Sequence, residues 1–237
     1  MKIAIGVPHL TTNSAKDRFT DSLIDLIDYT KSQGHQVDRI RTYRDNVTFA
    51  RNKIASQAFD GEYDFLFFVD DDMTFKADLL CNLIESQKKT NADIIAGLAF
   101  LRREPHEPSM FMLASDNRTY NPVVMWATGH TIEVDAVGMA CTLITRQALR
   151  KVAIMSQSHK NIVGFFDNLE NTGEDLRFCF KAKQEGMTIF CDTSQLVGHI
   201  VEKEISFGDF ESMLSDSVKS THKHHAESNY EKELHSK

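Results

Sequence analysis

The chain has 237 residues, enough for one sizeable domain or two small ones, and carries a formal net charge of −7. That acidic balance argues against a large nonspecific nucleic-acid surface and leaves room only for a local basic patch. No window approaches the run of about 18 apolar residues that a membrane span requires. The N-terminus, MKIAIGVPHL, enters a strand-like pattern without the apolar region and cleavage site of a signal peptide, so a cytoplasmic protein without a transmembrane segment is expected.

Lys2 to Val7 reads as the first strand. Phe19, Leu23, Ile24, Leu26 and Ile27 then mark one face of a helix that Gly34 ends. Gln36 to Tyr43 alternates as a second strand, and Asn46 is an N-cap candidate for a helix burying Val47, Ala50, Ile54 and Ala58. The third strand is Asp64 to Val69, the next helix runs from Ala77 to Lys88, and Asp93 to Phe100 (DIIAGLAF) is a fourth strand. This βαβαβαβ series predicts an α/β fold with a mostly parallel central sheet flanked by helices on both faces.

The pattern then changes. Arg102 to Tyr120 shows no clear period, and Thr131 to Thr145 reads as one or two strands with Gly138 at a bend. Gly173 to Gly186 is predicted helical, Met187 to Asp192 a short strand, and Val197-Gly198-His199 a turn. From about Ser206 the chain is polar, a helical tail in which His222, His224 and His225 fit a solvated, frayed helix better than a metal tract. Cys81, Cys141, Cys179 and Cys191 are widely spaced among apolar neighbours, as buried free thiols are.

The third strand, FLFFV, runs directly into Asp70, Asp71 and Asp72. In open α/β sheets, ligands bind beyond the carboxyl ends of the strands, which is where these carboxylates fall. Residues two apart share a face, so Asp70 and Asp72 are expected to converge while Asp71 points elsewhere. Two carboxylates about 4 Å apart repel by about 1 kcal/mol in water and about 4 kcal/mol at an effective dielectric of 20. A hard divalent cation would relieve that repulsion. The plainer alternative is a solvated acidic loop beside a helix start.

Two enzyme types place D-x-D after a buried strand. Asp70-x-Asp72-x-Thr74 resembles the DxDxT of haloacid-dehalogenase-type phosphatases, with Asp70 as nucleophile, but here it stands on the third strand and no GDxxxD follows. The closer resemblance is to the GT-A glycosyltransferases of the family-2-like type, which include bacterial and bacteriophage members. Ala50-Arg51-Asn52 looks like their ARN element and Val134-Asp135-Ala136-Val137-Gly138 like the segment preceding their ED element. Glu174-Asp175 looks like that ED element, and Gly198-His199 like their metal-binding GH. With Pro8, these motifs occur in family order over residues 1 to 200.

The resemblance implies a GT-A domain over residues 1–205, with a nucleotide-sugar half (1–100), an acceptor and catalytic half (101–205), and a separate tail (206–237). It implies a donor nucleotide-diphosphate sugar, UDP-sugar favoured over GDP-sugar, bound by Pro8, His9, Arg51, Asp70 and Asp71. Mn2+ or Mg2+ would sit on Asp70, Asp72 and His199. Asp175 is the implied general base of an inverting transfer, oriented by Glu174; in a retaining enzyme it would only position or stabilise. Gly138 and Trp126 belong to the acceptor side, where Gly138 would allow close approach and Trp126 would stack on a sugar; a strand bulge and a core aromatic are the ordinary alternatives.

A hydroxyl acceptor follows, a glycan or glycoconjugate in the first instance, a protein or modified nucleobase in the second. A lid over Ile200 to Gly208 and a homo-oligomer contact through the tail complete the expectations, with host cytoplasm as the location of a phage-encoded chain. Where many relatives carry an Asp-rich turn that reads the base, this chain has Tyr43-Arg44-Asp45-Asn46. The competing classes are the phosphatase, a sugar-nucleotide pyrophosphorylase and a catalytically silent sugar-binding module. A pyrophosphorylase would carry a Gly-rich signature after the first strand. The silent module would have lost the D-x-D, the ED or the histidine, and all three are present.

Overall fold

The first strand, β1 (Lys2–His9), is apolar along most of its length and buries six of its eight residues. Helix α1 (Lys16–Ser32) lays Phe19, Leu23 and Leu26 on the sheet. Ile24, expected on that face, is 50% exposed, because one residue of helix turn carries it away from its buried neighbour Leu23. After Gly34, at φ +82°, β2 (Gln36–Tyr43) pairs in parallel with β1 over its whole length. Helix α2 (Val47–Asp60) begins where the Asn46 side chain accepts a hydrogen bond from the Thr48 N–H (3.0 Å).

Strand β3 (Phe65–Val69) is buried at every position because both of its faces are covered. Leu66 and Phe68 face one apolar cluster, while Phe65, Phe67 and Val69 face the other. A short β4 (Met73–Thr74) precedes α3 (Leu79–Thr90), and β5 (Ile94–Leu98) returns to the sheet. The stretch without period forms a hairpin, β6 (Met110–Leu113) and β7 (Tyr120–Pro122). Its turn is held by Asp116, which accepts from the Arg118 and Thr119 N–H groups and the Thr119 hydroxyl.

Three strands follow where one or two are predicted: β8 (Thr131–Val134), β9 (Ala136–Val137) and β10 (Cys141–Thr145). Helix α4 (Arg146–Met155), absent from the expected elements, starts at once from Thr145, whose hydroxyl accepts from the Ala148 N–H (3.1 Å). A small pair, β11 (Ser158–His159) and β12 (Ile162–Val163), leads to α5 (Glu174–Gln184). Strand β13 (Ile189–Leu196) runs four residues beyond its predicted end, past an irregularity in its register with β5. The turn expected at residues 197–199 is instead mostly a short strand, β14 (Gly198–His199), antiparallel to β4.

The computed structural model describes residues 1–9, 16–156, 158–159, 162–168 and 172–201, within a compact unit that spans Met1–Val201. The predicted tail, its histidines and most of the predicted lid lie outside these residues. The central sheet has seven strands in the order β2-β1-β3-β10-β5-β13-β8. Five run parallel, whereas β10 is inserted antiparallel between β3 and β5, and β8 is antiparallel at the edge. Helices α2, α4 and α5 cover one face and α1 and α3 the other. Cys141, Cys179 and Cys191 are buried free thiols and Cys81 is half-buried. Among the described residues no helix is long and apolar enough to cross a membrane.

Candidate active site

β3 ends at Val69, and Asp70 to Asp72 enter a turn closed by the Met73 N–H on the Asp70 carbonyl (3.3 Å). In a turn the alternation of a strand no longer operates, and the three carboxylates diverge toward different partners. Asp71 is buried and lies 3.2 Å from Nδ1 of His9, at the carboxyl end of β1. The His9 ring stacks on Tyr43 with centroids 5.1 Å apart and planes 8° from parallel. Tyr43, at the end of β2, is 58% exposed, and the Arg41 guanidinium lies over its ring, 5.5 Å from the centroid.

Asp72 faces His199, with Oδ2 3.5 Å from Nε2. Two features bring them together. The β4–β14 pairing sets His199 opposite Met73, and the Ile200 N–H donates to the Asp72 carbonyl (2.8 Å). Gly198 makes that approach feasible, since a Cβ there would fall 2.5 Å from the Thr74 hydroxyl. The Phe100 carbonyl lies 2.8 Å from His199 Nδ1. Donation from Nδ1 to this carbonyl turns Nε2 toward Asp72, and loss of the Nε2 proton would free there the lone pair that metal-binding histidines use.

Burial alone would lower the pKa of His199, but its contact with Asp72 and the Phe100 carbonyl outweigh it and hold the pKa above the usual imidazole value. Burial would raise Asp72, but His199 and Arg102 hold it below the usual carboxylate value. The Arg102 guanidinium lies 3.0 Å from the same Oδ2.

Asp70 belongs to a different cluster. Nη2 of Arg51 donates to both of its carboxylate oxygens (2.9 and 3.2 Å). Nη1 of Arg51 lies 3.3 Å from Oε1 of Glu174, a charge contact without hydrogen-bond alignment. Arg51 is itself buried, and burial pulls its pKa down, yet Asp70, Glu174 and Asp175 together hold it above the ordinary value. Burial raises Asp70, with Asp72 adding to the effect against Arg51, and burial likewise raises Glu174. Thus one buried cation on α2 joins the carboxylates that leave β3 to those that open α5.

The next residue, Asn52, ties α2 to the segment before α5. Its amide donates to the Phe166 carbonyl and accepts from the Phe166 N–H, both at 2.8 Å. Phe166 stacks on Phe178 of α5 at 4.7 Å. Lys181 adds a second tether through the Gly164 carbonyl (3.0 Å) and Asp167 (3.2 Å). Helix α5 is thereby tied to residues 164–167 at two points, and Asp175 stands in its first turn with Oδ1 accepting from the Leu176 N–H (2.7 Å).

The other residues singled out by sequence fall as follows. Gly138 lies beside Asp175: a Cβ there would stand 3.3 Å from Ser109 Cβ and 3.6 Å from Asp175 Oδ2. Trp126 packs on Phe100 (6.4 Å) at the margin of the core, with its indole N–H buried and without a partner among the described residues. Pro8 is buried within β1. Asp70, expected beside Asp72 and His199, is held on Arg51. Among the described residues no three His, Cys, Asp or Glu side chains come together as a metal cage.

The pair Asp72 and His199 nonetheless fits a divalent ion of the Mg2+ or Mn2+ kind. Such ions take one or two protein ligands and complete their shell with phosphate oxygens and water, and Mn2+ accepts imidazole. Arg102 lies outside every sequence motif, while Asn52 of the ARN element and Tyr43 at the end of β2 gain their partners, Phe166 and His9, only in the fold.

No protein-family model matches the chain, and no curated protein matches it in sequence. Solved structures do match it in three dimensions. A197 from STIV aligns with a TM-score of 0.56 at 18% identity, over 85% of this chain and 87% of that one. GalNAc-T7, solved with UDP, GalNAc and Mn2+, aligns with a TM-score of 0.56 at 14% identity, over 86% of this chain and 44% of GalNAc-T7. With the mixed seven-stranded sheet flanked by helices on both faces, these likenesses define a GT-A fold.

Proposed function

We propose that the protein is a metal-dependent glycosyltransferase that moves a sugar from a nucleotide-diphosphate sugar, UDP-sugar before GDP-sugar, to a hydroxyl acceptor. The observation that carries this reading is the Asp72–His199 pair at the carboxyl end of β3, with the imidazole oriented by the Phe100 carbonyl. Beside it stands a separate carboxylate pair at the start of α5, joined to β3 through Arg51.

Asp72 and His199 would hold the ion, which when bound neutralises the leaving diphosphate. Asp70, fixed by Arg51, would face the donor ribose or reach the ion through water. The exposed Tyr43 ring, backed by His9 and its Asp71 partner, would offer a nucleobase a flat apolar face. Asp175 would take the proton from the acceptor hydroxyl as its oxygen bonds to the anomeric carbon and the bond to the diphosphate breaks. Glu174, turned to Arg51, would keep the helix start in register. Gly138 leaves the space next to Asp175 open. A glycan or glycoconjugate is the first acceptor to try, then a protein or a hydroxylated nucleobase.

Thermal shifts with UDP, GDP, CDP and dTDP, each with and without Mn2+, test the reading. A ligand that binds only the folded state raises its apparent stability. Stabilisation by one nucleotide only in the presence of metal is expected. Asp72→Ala and His199→Ala should abolish it, whereas Asp175→Ala should keep it and lose transfer. Metal-dependent stabilisation that persists in both metal-site variants would overturn the assignment.

A further inference from the structure

Arg102 stands outside every motif, yet it shares one oxygen with the candidate metal pair. Its Nη2 lies 3.0 Å from Asp72 Oδ2, the atom that also faces His199 Nε2 at 3.5 Å. The backbone that carries it is tied down: the Leu101 N–H donates to Glu107 (2.8 Å), Phe100 bridges Pro108, and the Ser109 N–H donates to Ala99 (2.9 Å). Apart from that ion pair the side chain faces solvent, at 57% exposed. Two residues earlier on this segment, the Phe100 carbonyl orients His199.

An ion bound by Asp72 and His199 and the Arg102 guanidinium would compete for the same carboxylate oxygen, because like charges cannot share it without strong repulsion. We propose that Arg102 is a stand-in cation, which neutralises Asp72 in the metal-free protein and transfers to the donor diphosphate when a divalent ion takes its place. This rests on the nucleotide-sugar reading above. The guanidinium fork matches phosphate oxygens, and its exposed stem lets it move while the loop stays fixed. The exchange leaves neither the carboxylate nor the diphosphate without a cation at any stage, and no covalent bond changes.

The two halves predict opposite effects of Arg102→Ala. Mn2+ alone, titrated by the electron-paramagnetic signal of the free ion, should bind the variant more tightly by up to about fivefold, the worth of an exposed ion pair. UDP binding at saturating Mn2+, measured calorimetrically, should weaken by about ten- to a hundredfold, as for one lost charge-assisted hydrogen bond. Arg102→Lys should recover part of both.

An Mn2+ affinity no tighter than wild type, or UDP affinity unchanged at saturating Mn2+, overturns the exchange. If the wild-type protein binds both ligands and Arg102→Ala alters neither, Arg102 is a bystander and the transferase reading stands. If the wild-type protein binds neither, both readings fall together. A merely structural loss would weaken both ligands and lower the melting temperature, which also overturns the proposal.

Discussion

Arg51 offers the sharpest test of how the site is held. Replacing it by Met keeps much of the side-chain volume but leaves Asp70, 2.9 Å from Nη2, and Glu174, 3.3 Å from Nη1, without their shared cation. Removing one partner of a buried ion pair costs about 3–5 kcal/mol. Asp70 is one-quarter exposed and Glu174 less so, so water recovers part of the loss and the lower end, about 3 kcal/mol, is expected. For a chain of this size that corresponds to a fall of roughly 6–12 °C in melting temperature.

The loss should depend on pH in a defined direction. Both carboxyls already sit above their ordinary values of 3.8 and 4.5 because they are buried. Losing the arginine raises them further. A carboxyl whose folded pKa exceeds its unfolded one binds more protons in the folded state, so its penalty is complete above the folded pKa and fades as pH falls toward the unfolded value. The gap between Arg51→Met and wild type should therefore narrow between about pH 8 and about pH 5. Urea unfolding at both pH values measures it. In an Asp70→Asn, Glu174→Gln background the same substitution should cost far less. A cost below about 0.5 kcal/mol, or one that stays constant with pH and background, would refute the bridging role.

Two further substitutions probe the elements around that bridge. Asn52→Ala removes both hydrogen bonds to the Phe166 backbone and leaves a buried N–H and C=O unpaired; a loss of about 2–4 kcal/mol in urea unfolding is expected, and a loss under about 1 kcal/mol would show that the segment repacks. Gly138→Ala sets a methyl 3.3 Å from Ser109 and 3.6 Å from Asp175 Oδ2; stability should fall by less than about 1.5 kcal/mol while the proposed transfer activity falls further, and an unchanged rate would remove Gly138 from the proposed acceptor side.

How much of this was legible in the sequence depended on whether an element announces itself locally. The Asn46 cap and the alternation of Gln36 to Tyr43 were readable, because each is decided within a few residues. The FLFFV strand was readable because only a doubly covered strand is apolar on both sides. The direction of β10 was not. Its CTLIT pattern, buried at the first four positions, suits a parallel or an antiparallel neighbour equally, and only the pairing with β3 and β5 decides. Helix α4 was missed because two exposed apolar residues, Ile154 and Met155, blur the short stripe made by Ala148, Leu149 and Val152.

The site divides in the same way. Sequence alternation placed Asp70 and Asp72 on one face, but the strand stops at Val69 and the turn that follows obeys hydrogen bonds instead of a period. That single fact separates the carboxylates into two electrostatic environments. Burial raises Asp70 beside its arginine, while His199 and Arg102 lower Asp72. Neither partner set is close in sequence: Arg51 precedes Asp70 by 19 positions, and His199 arrives from the far end of the unit. Each motif taken alone is ordinary, because an acidic helix start, a glycine-histidine pair and an arginine on a buried helix face all have simpler uses. The fold changes their meaning by making Arg51 answer two acidic motifs at once and by making Asp72 answer His199 and Arg102 at once. The two clusters meet only where the Asp72 charge helps to raise Asp70, so Arg51→Met should weaken Mn2+ affinity, read by titration of the free-ion signal, far less than Asp72→Ala does.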